Sequence, residues 1–208
     1  MVKIYDYNSI DIDNLVYDDP NQGKMGGQYV KITNGPNKIL IQTPKSYLPF
    51  GINRYEGGYG TTYSIDISSN NETFNNFLNK FDELNKKRAQ ENMNKWFSKN
   101  LDEDAINQIY KTQLKKSDSN YPPLMRIKIP TNSKGPLITI FDIDKNVISL
   151  DQVQKQCDVS AVIELTGLYF KAKEFGMSWK VVQLMVYPRL NLNTYAFVDD
   201  DDDDFDDE

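Results

Sequence analysis

A mainly β fold with one helical interruption and an acidic tail is what this sequence predicts, on three observations. Short segments with period-two alternation of apolar and polar residues flank one stretch of helical spacing. Turn-forming residues separate those segments at short intervals. The last ten residues, DDDDDDFDDE, contain nine acids and one aromatic ring.

The elements follow in order. Residues 1–25 read as an irregular N-terminal segment, with DDPNQGK (18–24) as a turn cluster. In GQYVKIT (27–33), Tyr29, Lys31 and Thr33 alternate with Val30 and Ile32, so a strand is expected. NGPN (34–37) turns the chain into a second strand, KILIQT (38–43). PKSYLPFGINRYEGGYG (44–60) reads as a long loop rich in glycine and aromatics, and TTYSIDIS (61–68) as a third strand. The period then changes. Ser69 and Glu72 have capping-box spacing, and Phe74, Phe77, Leu78, Phe81 and Leu84 follow on one helical face, with helix reaching towards Trp96 and Phe97. A second helix over 102–114 buries Ile106, Ile109 and Tyr110 and is stopped by SDSNYPP (117–123). Strands resume at PLMRIKIP (123–130) and PLITIFDI (136–143). VSAVIELTGLYFKAKEF (159–175) is expected to turn at Gly176 into SWKVVQLMVYP (178–188).

Three strands, a helical insertion over about 70–116 and four further strands give the layout of an OB-fold-like antiparallel Greek-key barrel, with the insertion between its third and fourth strands. The βαβ alternation of a doubly wound sheet is absent. The expected organisation is a barrel domain over 26–190 and an acidic tail over 191–208, disordered because a run of like charges repels itself.

Charge separates the two parts. The net charge is −6, yet without residues 199–208 the body has 24 basic against 21 acidic residues. A charged partner is expected, nucleic acid among the candidates; a merely solubilising tail is the plain alternative. The bases are 20 Lys and 4 Arg. Lysine acts as a point charge on phosphate, whereas arginine suits bidentate reading of guanine, so this ratio fits sequence-blind binding. AT-biased coding enriches the same residues. No apolar stretch is long enough to span a membrane, no signal-peptide core opens the chain, and Cys157 is alone; a reducing, intracellular compartment without membrane contact is expected.

Catalytic equipment is sparse. There is no histidine, no Walker A motif, and too few Cys and His for a zinc site. Aspartates at 11 and 13, and at 142 and 144, could serve a magnesium nuclease, but Asp142 and Asp144 read as a strand-end turn. No metal, cofactor or enzymatic activity is expected. The informative pattern is instead bases interleaved with aromatics. Tyr169, Lys171, Lys173 and Phe175 are placed on one strand face, and Tyr29 with Lys31 and Arg126 with Lys128 on others. The 44–60 loop adds Lys45, Tyr47, Arg54, Tyr55 and Tyr59, and Trp179 and Lys180 lie past the expected turn, Trp179 being a core candidate as well. Cations for phosphates and rings for unstacked bases are what single-strand binding requires. The tail, Asp199, Asp200, Asp201, Asp202, Asp203, Asp204, Phe205, Asp206, Asp207 and Glu208, imitates such a ligand and is expected to meet basic partners.

Two blocks carry a resemblance: QTPKSYLPFGINRYEGGYGTTYSIDIS (42–68) with its Phe- and Asn-rich helix, and LYFKAKEFGMSWKVVQLMVYP (168–188). They resemble a family encoded by nucleocytoplasmic large DNA viruses, itself similar to the single-stranded DNA-binding protein of T7-like phages. The resemblance implies an OB-fold that coats single strands in viral DNA replication, recombination or repair, in a cytoplasmic replication factory, the nucleus or the virion. It implies an acidic tail that recruits a polymerase or helicase, and it leaves a homo-oligomer open. Phe205 stands three residues before the end, whereas the phage-type tail ends on its aromatic. An acidic-tailed interaction module or chaperone that leaves DNA alone is the alternative.

Overall fold

The computed structural model describes residues 3–23, 27–58, 60–116 and 121–187. It is mainly β, with few helices. Five strands pair around a ring: β1 (Ser46–Leu48), β2 (Gly60–Ser68), β3 (Leu124–Ile129), β4 (Cys157–Lys171) and β5 (Glu174–Tyr187). Around it, β1 pairs with β2, β2 with β3, β3 with β5, β5 with β4, and β4 with β1. The β3–β5 pair is parallel, which an all-antiparallel expectation missed. Alternate residues point inward, so Ile65, Ile67, Ile127, Ile129, Val159, Ala161, Ile163 and Val181 are buried in one core.

The β4–β5 hairpin frames the ring. Its register shifts between Val162 and Ile163 and again between Leu165 and Gly167, and such bulges let long strands bend. At the second break Gly167 has φ +125°, and a Cβ there would collide with the Val30 carbonyl, so only glycine fits.

The insertion lies between β2 and β3, the same two segments the sequence indicated. It comprises α1 (Glu72–Glu91), α2 (Met93–Trp96) and α3 (Glu103–Ile109). Phe74, Phe77, Leu78, Phe81 and Leu84 are all buried, as their spacing predicts. The cap differs. Asn71 accepts from Phe74 N at 2.8 Å, while Ser69 Oγ accepts from Asn71 N at 3.1 Å, because asparagine one position before Glu72 is itself a strong cap. A buried polar cluster ties the helices to the ring. Asp82 accepts from Tyr110 OH at 2.7 Å and from Gln113 N at 2.8 Å. Asn85 accepts from Tyr17 OH at 2.7 Å and donates to Tyr110 OH at 3.2 Å. Burial pushes the Asp82 carboxyl up to about 6, against those hydrogen bonds and Lys86.

Five expectations about the elements are corrected. The 44–60 segment is not a loop: besides β1 it forms the strand Ile52–Gly57, which pairs along β2. Its residues are largely exposed on both faces, so no alternation marked it. The second helix stops at Ile109, and Tyr110–Lys111 instead pairs in parallel with Phe175–Gly176. The N-terminal segment joins the domain: Ile4–Tyr5 pairs with Leu40–Gln42, and Val16–Tyr17 with Ile32–Thr33. The β4–β5 turn is Ala172–Lys173, not Gly176, since Lys171 pairs with Glu174. The expected strand at 136–143 shortens to Thr139–Phe141; it pairs in parallel with β5 and antiparallel with Val147–Ile148.

Candidate nucleic-acid interface

The early turn decides which predicted residues meet. Counting alternation through to residue 175 places Phe175 beside Tyr169. Reversal at 172–173 places it opposite Phe170 instead, where the rings stack at 5.4 Å and 7°. Phe175 and Trp179 are each 1% exposed. Both are core residues, Trp179 packing edge-on against Phe81, and neither ring can receive a base without unfolding. Neither belongs to a binding face.

What remains outward on the first half of β5, nearest this turn, is Gly176, Ser178 and Lys180. Register then assembles a face across the ring. Asn53, Ser64, Lys128, Lys180 and Glu164 form one row over five strands. Asp66 and Arg126 pair in the next. Beyond them Gly176 pairs with Tyr169, and Tyr169 with Tyr29. A Cβ on Gly176 would sit 2.8 Å from the Lys111 carbonyl and 3.4 Å from the Tyr169 ring, so glycine lets the ring lie flat across the strand.

Tyr169 is the centre of this face. Lys171 Nζ lies 5.1 Å from its ring centroid and Lys128 Nζ 5.5 Å, both within cation–π range. Burial, and then the Glu174 charge, raise the Tyr169 phenol. Lys128 is held below the usual lysine range by burial first and by Lys171 second. It has no ion-pair partner among the described residues. Its neighbours do: Lys171 pairs with Glu174 at 2.7 Å, and Lys180 with Glu164 at 3.1 Å, a carboxylate it shares with Lys38. Tyr29 is 42% exposed beside Tyr169 and presents an open ring.

Arg126 plays a different part from the one expected. Its Nε and Nη2 grip Asp66 at 2.7 and 2.9 Å, and Asp66 also accepts from Asn53 at 2.9 Å. The buried carboxylate neutralises the guanidinium and ties the Ile52–Gly57 strand to β3. Arg54 pairs with Glu56 at 2.6 Å further out on that strand, where Tyr55 is 71% exposed. Lys31 and Lys173 are exposed, the latter in the β4–β5 turn.

Lys45 and Tyr47 do not join this face. They lie against Asp158 and Tyr187, where Lys45 Nζ is 3.4 Å from Asp158 and 4.7 Å from the Tyr187 ring. Eleven residues of β4 separate position 158 from Tyr169, up to about 36 Å of strand. Tyr59 and the tail residues Asp199–Glu208 lie outside the described residues.

Sequence reasoning missed Lys111, Asn53, Asp66 and Glu164. Lys111 was counted into a helix, and the other three acquire meaning only through cross-strand register. No cluster of His, Cys, Asp and Glu able to hold a metal occurs among the described residues.

This fold is shared with the single-stranded DNA-binding protein of bacteriophage Enc34, in a C-terminally truncated form. The TM-score is 0.50 at 12% identity, over 85% of this chain and 96% of that one. The single-stranded DNA-binding protein encoded by bacteriophage T7 aligns at a TM-score of 0.49 with 11% identity, over 79% of this chain and 92% of that one. In sequence, the chain is 27% identical over 164 residues to an uncharacterized protein of Acanthamoeba polyphaga mimivirus. That match takes in 73% of this chain and 26% of the relative, so the chain spans about a quarter of the relative's length. A family model matches residues 63–199, from within β2 through β5 and beyond, and the chain belongs to that family, a family of unknown function (DUF5871).

Proposed function

We propose that the chain binds single-stranded DNA without base preference, on the outward face that β2, β3 and β5 share with Tyr29 and Tyr169. The observation that carries this reading is the Lys128–Tyr169–Lys171 cluster beside Tyr29. An ammonium without a carboxylate partner, partly withdrawn from water, waits next to exposed ring surface. Phosphate supplies the missing counter-charge and an unstacked base covers the ring. The five-strand order β1-β2-β3-β5-β4 supports reading the ring as an OB-type Greek-key barrel. Such barrels bind oligonucleotides on the second and third strands and in the loops after the first and fourth. Here those loops contain Arg54 and Tyr55, and Lys173. The Enc34 protein's own name agrees with this reading. The role is binding rather than catalysis, in replication, recombination or repair of a large DNA virus, inside the infected cell.

The acidic run 199–208 belongs to the same reading. As part of the same chain it is present at high effective concentration, competes with DNA for the binding face and recruits a basic replication partner such as a polymerase or helicase. A titration of single-stranded against duplex DNA at several salt concentrations tests the proposal. Tighter single-strand binding that weakens steeply with salt supports it. Equal affinity for both forms, or no binding, returns the chain to the alternative of an acidic-tailed interaction module.

A further inference from the structure

The segment 110–113 leaves the helical insertion and runs onto the face around Tyr169. Register carries it there. Lys111 pairs with Gly176, Gly176 with Tyr169, and Tyr169 with Tyr29, so one row crosses four strands. Residues paired in register point to the same side of a sheet, and Lys111 is exposed. Gly176 brings the row together. A Cβ there would stand 3.3 Å from Lys111 Cβ as well as 3.4 Å from the Tyr169 ring, so both side chains close over the same point. Lys111 makes no ion pair among the described residues. Its charge reaches Glu174, whose carboxyl is held below the usual range by the Lys171 hydrogen bond first and by Lys111 among the lesser causes. Lys111, Lys128 and Lys171 therefore approach Tyr169 from three different strands.

What fixes Lys111 lies beneath it. Asp82 on α1 is 2% exposed. It accepts from Tyr110 OH at 2.7 Å through one oxygen and from Gln113 N at 2.8 Å through the other. These donors stand one residue before Lys111 and two residues after it. Gln113 Nε2 also donates to Met177 O at 2.9 Å, and the Tyr110 ring packs edge-on against Phe175 at 5.0 Å. The clamp is costly. Burial pushes the Asp82 carboxyl up to about 6, so its charge opposes folding at neutral pH. An asparagine would fill the same volume without that charge. It could not accept through both polar atoms, because its amide nitrogen only donates. Position, rather than stability, explains a carboxylate here.

We propose that Lys111 is a further phosphate-binding residue, and that Asp82 is its positioning residue, acting from the helical insertion through residues 110–113. The inference rests on the single-strand face proposed above. It gives the insertion a part in binding: α1 holds a cation beside the ring at the centre of that face.

Titration of the full chain with an oligo-dT at several salt concentrations tests this. Lys111→Met is expected to lower the slope of log affinity against log salt by about 0.7, and Lys111→Arg to keep it. Asp82→Asn is expected to weaken binding about threefold with Lys111 present and not at all in the Lys111→Met background, since residues of one network do not add. Gln113→Ala, which removes the Met177 anchor, follows the same pattern and carries the comparison should Asp82→Asn not fold. An unchanged slope in Lys111→Met overturns the proposal and leaves the wider reading of the face standing. Losses of equal size in both backgrounds make Asp82 and Gln113 general supports of the fold and overturn it too. So does the absence of any loss from either. A wild-type chain that does not bind single strands removes the face itself, and the proposal with it.

Discussion

Replacing Lys128 by methionine should move binding and stability in opposite directions. The side chain keeps its stem and loses only the ammonium. In the folded protein that ammonium is disfavoured by burial and by Lys171, and no carboxylate compensates. A lysine whose folded-state value is lowered binds fewer protons folded than unfolded, so its charge opposes folding at neutral pH and the penalty fades as pH rises towards 10.5. Lys128→Met removes that penalty, and the melting temperature should hold or rise. DNA affinity should fall. One phosphate contact with a single strand contributes about 0.7 to the slope of log affinity against log salt. Between 50 and 200 mM salt, the ratio of wild-type to variant affinity should therefore shrink about 2.6-fold from this contact alone. Fluorescence titration with an oligo-dT at four salt concentrations measures the slope, and thermal melting at pH 7 measures the stability. A lower melting temperature with an unchanged salt slope would make Lys128 a structural residue and refute the reasoning.

Other outcomes are equally direct. Tyr29→Ala should cost about 1–3 kcal/mol of single-strand binding with melting unchanged, as read by titration and calorimetry together. Phe175→Ala should instead destabilise by about 3–5 kcal/mol in denaturant titration, because its ring is core. Asp82 contributes a pH signature of reversed sign. Its folded value of about 6 lies above its usual one, so wild type should lose on the order of 3 kcal/mol relative to Asp82→Asn as pH rises from 4 to 7; a gap that stays constant with pH would remove Asp82 as its source. Deleting 199–208 should tighten DNA binding most at low salt, and Phe205→Ala should reproduce part of that gain; a Phe205→Ala variant that binds like wild type leaves charge alone as the tail's means of competing.

The helical insertion was legible because amphipathic spacing is local: Phe74 to Leu84 declare one face without reference to anything else. The strands of the ring were legible where one side is buried, as in 61–68 and 124–129. The Ile52–Gly57 strand was not, since both its faces meet water and its partner alone defines it. The candidate face was half legible. Tyr29, Lys128, Tyr169, Lys171 and Lys180 do share a face, but alternation cannot tell where a strand reverses. A turn four residues early carried Phe175 and Trp179 to the other side. Arg126 looked like a free base because its neutralising partner, Asp66, is sixty residues away and visible only through pairing.

The ring's pairing is uneven, and this bears on motion. The leaf made of Ile52–Gly57, β2 and β3 is held together internally by six registered pairs between each two neighbours. It joins the rest of the ring through one pair on either side, Tyr47 with Ser68 and Lys128 with Lys180. Backbone pairing that is dense inside the leaf and thin at its margins predicts that amide exchange at those two seams outpaces exchange within the leaf. Lys128 rides on the leaf, while Tyr169 and Lys171 stand on the fixed hairpin. A strand of nucleic acid bound to both, as proposed, would act as a staple across the Lys128–Lys180 seam, so occupancy should be readable as slowed exchange at the Tyr47–Ser68 seam, which the ligand need never touch.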